Sequence, residues 1–228
     1  MSAFLVSVSS LTGTAIMQRL VLFDMMDTLV SEPYFRLIER LVPDPEQRRA
    51  YFGWRDREAH IEFERGEISE AELFRRFYLP DLPASLREVY PSPERVKKGL
   101  LRELSYMPGI RELLAWLAEQ SDVRIGIASN YSCWYVEFLA RLPLLSKYAD
   151  YLFFSCEMNA RKPEPRFYEM IETAIAESAG PIAPHSILFI DDREANLEPA
   201  RARGWNVHLM QSAGPLRTAI EAFLKAPP

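Results

Sequence analysis

Residues 19–30 read RLVLFDMMDTLV, and the reading of this stretch decides the fold. Leu20 to Phe23 form an unbroken apolar run that ends on Asp24. A run of that length suits a strand in a parallel sheet covered on both faces. Ligands of an open α/β sheet gather at the carboxyl ends of its strands, so Asp24 is expected at the mouth of a site. A carboxylate there can act as a nucleophile on phosphorus or carbon, as a metal ligand, or as a cap for the following segment.

Beyond this strand the pattern changes. From Pro33 to about Leu104, apolar residues recur at helical spacing in segments such as YFRLIERLV, PEQRRAYFGWRDREAHIEFERG, SEAELFRRFY and PERVKKGLLREL. Pro33, Pro45 and Pro93 stand where first helical turns would begin, and Ser69 with Glu72 forms a capping box. From Met107 helices and strands alternate, with strands expected over 123–129, 151–155, 186–190 and 205–210. Such alternation implies an α/β fold, a Rossmann-like parallel sheet with helices on both faces, here with an inserted all-helical cap domain. The expected division is a flexible extension at 1–18, a discontinuous core of 19–31 and 106–228, and a cap of 32–105.

The chain has 228 residues, 48% of them hydrophobic and 26% charged, with a formal net charge of −5. That is an ordinary globular profile without the basic stripe of a nucleic-acid protein. No apolar run reaches the roughly 18 residues of a membrane span. Cys133 and Cys156 show no metal-thiolate spacing and read as reduced, partly buried thiols of a cytoplasmic protein. Residues 1–16, MSAFLVSVSSLTGTAI, carry no charge, so they lack the basic start of a signal peptide and the arginines of a transit peptide.

Each core strand ends on a small polar or charged group: Asp24, then Ser129 and Asn130, then Lys162 in the loop after the third, then Asp191 and Asp192. Strand ends converge on one crevice, so these groups are expected to meet. Asp24 with Asp191 and Asp192 supplies oxygen ligands for a hard cation, most naturally Mg²⁺. Ser129 and Lys162 supply a hydroxyl and a fixed positive charge for phosphate oxygens. Taken singly, Ser129 reads as a helix cap, Lys162 as a solvated loop residue and the aspartate pair as a turn. Four such groups in order at successive strand ends argue for a site.

The segments LVLFDMMDTLV, IGIASN, ARKPEPRFY and ILFIDDREANLEPARARG resemble the haloacid dehalogenase-like (HAD) hydrolase superfamily from about Arg19 onward. The resemblance implies an aspartyl-enzyme intermediate on Asp24 and a helical cap inserted after the first motif. It also implies Mg²⁺ held by Asp24, the Met26 backbone carbonyl and the Asp191–Asp192 pair. Lys162, Ser129, Asn130 and Thr28 would then surround the substrate phosphate.

One departure matters. Phosphatases of this superfamily read Asp-x-Asp-Gly-Thr, the second Asp being the general acid-base. Here Met26 holds that position and Asp27 holds the glycine's. Asp27 could take the acid role from its shifted place, water or the substrate could supply the proton, or the chain could be catalytically feeble. Dehalogenases read Asp-x-Tyr-Gly-Thr and need no metal, whereas Asp191–Asp192 looks built for one. The expected function is a Mg²⁺-dependent phosphatase of a small phosphate monoester, monomeric or homodimeric, with no nucleic-acid or membrane partner. A metal-independent dehalogenase-like hydrolase and a non-catalytic binding protein are the alternatives.

A closer resemblance runs through FDMMDTLV, EPYF, EFERGEISEAEL and SNYSCWY, which are similar to plastid flavin mononucleotide (FMN) hydrolases and their bacterial relatives. It makes FMN a candidate substrate and suggests Tyr34, Trp54, Phe63, Tyr131 and Trp134 as aromatic faces for an isoalloxazine ring. Aromatics at helical spacing are more often core.

Overall fold

The computed structural model describes residues 19–226, so the extension expected at 1–18 lies outside the described residues. Five strands, β1 (Arg19–Phe23), β2 (Val123–Ser129), β3 (Tyr151–Phe154), β4 (Ile187–Asp191) and β5 (Asn206–Leu209), form one parallel sheet. Their order is β3-β2-β1-β4-β5. The apolar run of β1 is central, and Leu20 to Phe23 are 0% exposed. Burial of each such side chain stabilises the fold by about 1.5–3 kcal/mol. The period of two splits the run between faces: Val21 and Phe23 join one apolar cluster, Leu20 and Leu22 the other.

Helices cover both faces. Leu113 and Leu117 of the helix Ile110–Ala118, with Leu216 and Ile220 of Ala213–Lys225, pack in the first cluster. Phe167, Ile171 and Ile175 of Pro165–Ala179, with Leu197 and Ala200 of Glu194–Ala202, fill the second. Gly126 lets β2 lie close to β1, since a Cβ there would meet Leu22 Cδ2 at 2.5 Å. From β1 the chain steps one way to β2 and β3, then the other way to β4 and β5, so the topological switch lies between the ends of β1 and β4.

Between β1 and Ile110–Ala118 lie six helices: Tyr34–Leu41, Pro45–Trp54, Arg57–Glu64, Glu70–Arg75, Ala84–Val89 and Pro93–Glu103. Pro45 and Pro93 open their helices, Pro33 stands at an N-cap, and Ser69 Oγ accepts the Glu72 N–H at 3.2 Å. The long segment from Pro45 breaks at Arg55–Asp56 because Asp56 caps a new helix, accepting the Ala59 N–H at 2.9 Å. The two chain crossings into this insert lie side by side, with the Ser31 N–H donating to Ser105 O at 3.0 Å and a bridge between Val30 and Tyr106.

The insert shares one apolar cluster with the core. Its Tyr51, Phe63, Leu73 and Phe77 share the cluster of Val21 and Phe23. Its far end also touches the loop after β3: Ser155 Oγ donates to Glu64 O at 2.5 Å, Asn159 Nδ2 to Arg65 O at 2.9 Å, and Arg161 pairs with Glu64 at 2.8 Å. Gly66 has φ +72, and a Cβ there would meet Cys156 O at 2.2 Å, so only glycine permits this contact. Both cysteines are unpaired, Cys133 exposed and Cys156 half-buried. No helix among the described residues is long and apolar enough to cross a membrane.

Candidate active site

The ladder of β1 continues one residue past the strand, where the Asp24 N–H donates to Ile190 O at 2.8 Å. The chain then turns sharply, with Leu29 and Val30 N–H groups both donating to Met25 O at 2.9 Å. Asp27 occupies the left-handed region at φ 52. This is the motif's usual glycine position, and aspartate is among the few other residues that tolerate such a φ. Its side chain is exposed, and Oδ1 accepts the Glu32 N–H at 2.8 Å, which makes Asp27 a turn residue in this structure.

Asp24 is 7% exposed, Lys162 2% and Asp191 0%. Lys162 Nζ donates to Asp24 Oδ1 at 2.7 Å and to Asp191 Oδ2 at 2.6 Å. Asp191 is held further by the Arg193 N–H at 2.9 Å and by Asn196 Nδ2, which reaches both its oxygens at 2.9 and 3.0 Å. Oxygens of Asp24, Asp191 and Asp192 lie within 4.8 Å of one another. Burial pushes the Asp24 carboxyl up to about 6, the Asp191 charge adding to the effect and Lys162 opposing it. Burial works to lower the Lys162 ammonium, but Asp24 and Asp191 outweigh it and hold it above its usual value. Asp192, half-buried, is raised by burial and then by Asp191.

The donor set fits a divalent cation. Three carboxylates face one buried ammonium, so two negative charges are uncompensated in a poorly solvated pocket. Arg193, 3.8 Å from Asp192, has a side chain 73% exposed and offsets little of this. The ligands are all hard oxygens, as Mg²⁺ prefers.

The other residues singled out from sequence take varied places. Ser129 is 1% exposed and lines the cavity with Met26. Asn130 also lines it, but its amide is engaged with the Lys162 peptide: Nδ2 donates to Lys162 O and Oδ1 accepts the Lys162 N–H, both at 2.8 Å. Asn130 thus positions the lysine. Thr28 is fully buried outside the cavity lining, and its Oγ1 has no hydrogen-bond partner.

A cavity of about 660 Å³ runs from Asp24, Asp192 and Lys162 to the helical insert. Tyr34, Phe63, Tyr131 and Trp134 line it, and Trp54 does not. Phe63 is 2% and Trp134 8% exposed, packed edge to face at 5.3 Å with the indole N–H on Glu70 at 2.6 Å, so these two are chiefly core. A rim of Tyr34, Phe35 and Phe52 lies nearer solvent, with Phe35 66% exposed. Sequence reasoning passed over Phe35, Phe52, Glu32 and Arg55, all on the cavity wall. Asn196, quoted within a motif without a role, reaches Asp191 because the helix Glu194–Ala202 starts just beyond the end of β4.

Comparison with known proteins agrees with this architecture. A sequence model of the haloacid dehalogenase-like hydrolases matches residues 18–204. Flavin mononucleotide hydrolase 1 of Arabidopsis thaliana, a chloroplast protein, is 32% identical over 181 residues, covering 79% of this chain and 67% of the relative. A HAD family enzyme of Bacteroides thetaiotaomicron, solved with magnesium and inorganic phosphate, superposes with a TM-score of 0.62 at 22% identity, over 86% of this chain and 95% of that one. The L-2-haloacid dehalogenase of Xanthobacter autotrophicus, solved with chloropropionic acid covalently bound, gives 0.59 at 17% identity, over 92% and 85%. The two solved structures share the fold. With the family match over most of its length, this chain belongs to the haloacid dehalogenase-like hydrolases.

Proposed function

We propose that this hydrolase is a Mg²⁺-dependent phosphatase of a small phosphate monoester, with FMN the leading candidate and Asp24 the nucleophile. The observation that carries the reading is Asp24 itself: a buried carboxylate on the floor of a cavity, bonded to Lys162 and grouped with two further carboxylates. The relative from Arabidopsis thaliana points to the same ester.

In this reading an Asp24 oxygen attacks phosphorus, the P–O bond to the leaving group breaks, and an aspartyl-phosphate forms. Water then attacks that phosphorus, releasing inorganic phosphate and the free carboxylate. Lys162 neutralises charge between nucleophile and phosphate, and Asn130 holds it there. Ser129 offers its hydroxyl to a phosphate oxygen. Asp24, Asp191, Asp192 and the Met26 carbonyl would hold Mg²⁺. When bound, the ion supplies the positive charge that lets an anionic ester approach a carboxylate. The insert closes the cavity against water, its crossings at Ser31 and Ser105 acting as the hinge.

Phosphate release from a panel of monoesters, with Mg²⁺ and with EDTA, tests the reading. Release by the Mg²⁺ protein that EDTA abolishes is expected. EDTA-resistant hydrolysis would point to metal-free chemistry, and silence on every ester to a binding role.

Asp27 is expected to act as a turn residue, with the leaving group taking its proton from water. Asp27→Asn should then cost little, and equally, on an alkyl phosphate and on p-nitrophenyl phosphate. A loss of about 10²–10⁴-fold confined to the alkyl ester would instead identify Asp27 as the general acid.

A further inference from the structure

Arg55 lies in the break between helices Pro45–Trp54 and Arg57–Glu64, and its backbone is fixed there. It pairs with Tyr78 in an isolated bridge, the Leu79 N–H donates to Trp54 O at 2.9 Å, and the Asp56 N–H donates to Phe77 O at 3.4 Å. The guanidinium carbon sits 3.2 Å from the Phe77 ring centroid and 5.8 Å from that of Tyr78. Ring contact occupies the face of the guanidinium and leaves its edge N–H groups to make hydrogen bonds.

Among the described residues no side chain or carbonyl accepts from those N–H groups. Arg55 Nη1 is buried without a hydrogen-bond partner, and Arg55 makes no ion pair among the described residues. Two other arginines of the insert are paired. Arg76 pairs with Asp56 at 3.5 Å and Glu62 at 2.5 Å, and Arg65 pairs with Glu164. A buried donor left unpaired is costly and rare, which points to a partner the chain does not supply. Arg55 lines the same cavity as Asp24, together with Tyr34, Phe35 and Phe52.

We propose that Arg55 is the specificity residue for the leaving group, its guanidinium edge donating to a carbonyl oxygen of a planar ring while the ester phosphate sits at Asp24. This rests on the phosphatase reading. Phe35, an exposed ring on the cavity wall, offers the apolar face that a planar group needs. A neutral carbonyl suits a wall of mixed charge, where Glu32, Asp56 and Glu64 stand among Arg57, Arg161 and Arg193.

The test compares kcat/KM for FMN, which carries ring carbonyls, with that for phenyl phosphate, which carries none. In Arg55→Met the ratio of the two is expected to fall by about tenfold or more, the loss of one charge-assisted hydrogen bond. Arg55→Lys, which keeps the charge, should recover part of it, and both variants should bind Mg²⁺ as the wild type does. A ratio unchanged in the folded variants, or a wild type that prefers phenyl phosphate, overturns the proposal and leaves the phosphatase reading intact. If the wild type cleaves neither ester, FMN is not its substrate, and titration with riboflavin decides the role of Arg55. A Kd that rises about tenfold in Arg55→Met supports the proposal; no binding, or equal binding by both proteins, overturns it.

Discussion

Asp24→Asn is expected to lower phosphate release on the order of 10⁴-fold or more, the range in which loss of an enzymic nucleophile falls. The amide keeps the shape of the side chain but cannot attack phosphorus, and it offers one neutral oxygen where a carboxylate faced the cation. Stability should move the other way. The Asp24 carboxyl is raised from 3.8 to about 6 by burial, so the folded state binds its proton more tightly than the unfolded chain does. Such a group supports folding below about pH 4, and that support is lost as pH rises through about 6. Metal-free Asp24→Asn should therefore melt no lower than metal-free wild type at pH 7.5, and the difference between the two should grow from pH 4 to pH 6. Turnover above a tenth of wild type would remove Asp24 from the mechanism. A variant that melts well below wild type at pH 7.5 would mean the carboxylate is a structural partner of Lys162 first.

β1 to β4 were legible because they are short, mostly apolar runs with few exposed positions, and their polar terminal residues marked the crevice in advance. Arg19–Phe23 and Ile187–Asp191 needed little more than the position of Asp24 and Asp191 at the end of a buried run. What stayed hidden depends on backbone conformation and on contacts between distant segments. Asp27 stands at the motif's glycine position, and only its φ of 52 shows the turn it makes there. Asn130 reads as a phosphate ligand, yet its amide is committed to the peptide of Lys162, 32 residues away. Arg55 lies in YFGWRDREAH, whose spacing is helical throughout. Only the Asp56 cap and the bridge to Tyr78 turn that arginine out of a helix and onto the cavity wall. The aromatic residues divide for the same reason: Phe63 and Trp134 bury themselves against each other, while Phe35 has no partner deep enough to cover it.

Lys162→Ala should damage folding and catalysis together, because the lysine joins the two halves of the site. It stands between Asp24 and Asp191, at 2.7 and 2.6 Å, with its side chain 1% exposed. Removing it leaves two buried carboxylates facing each other without a cation, and breaking a buried pair in this way costs about 3–5 kcal/mol. For a chain of this size that is a fall in Tm of about 10 °C. The pH dependence follows from the same charges. Lys162 is held above its usual value, so the wild type keeps this support at any pH below about 10, the value of an ordinary lysine. Without Lys162 the Asp24 carboxyl rises further and takes up a proton more readily. The deficit in Tm should thus be smaller at pH 5 than at pH 8. Added Mg²⁺ should raise the Tm of the variant more than that of wild type, since a divalent cation replaces the missing charge. It cannot replace the ammonium beside the phosphate, so kcat/KM at saturating Mg²⁺ should still fall by about 10² or more, the loss typical of one preorganised donor to a developing charge. A variant with wild-type Tm and wild-type kcat/KM would reduce Lys162 to a buried loop residue. One with lowered Tm but full activity in Mg²⁺ would make it a structural counter-ion alone.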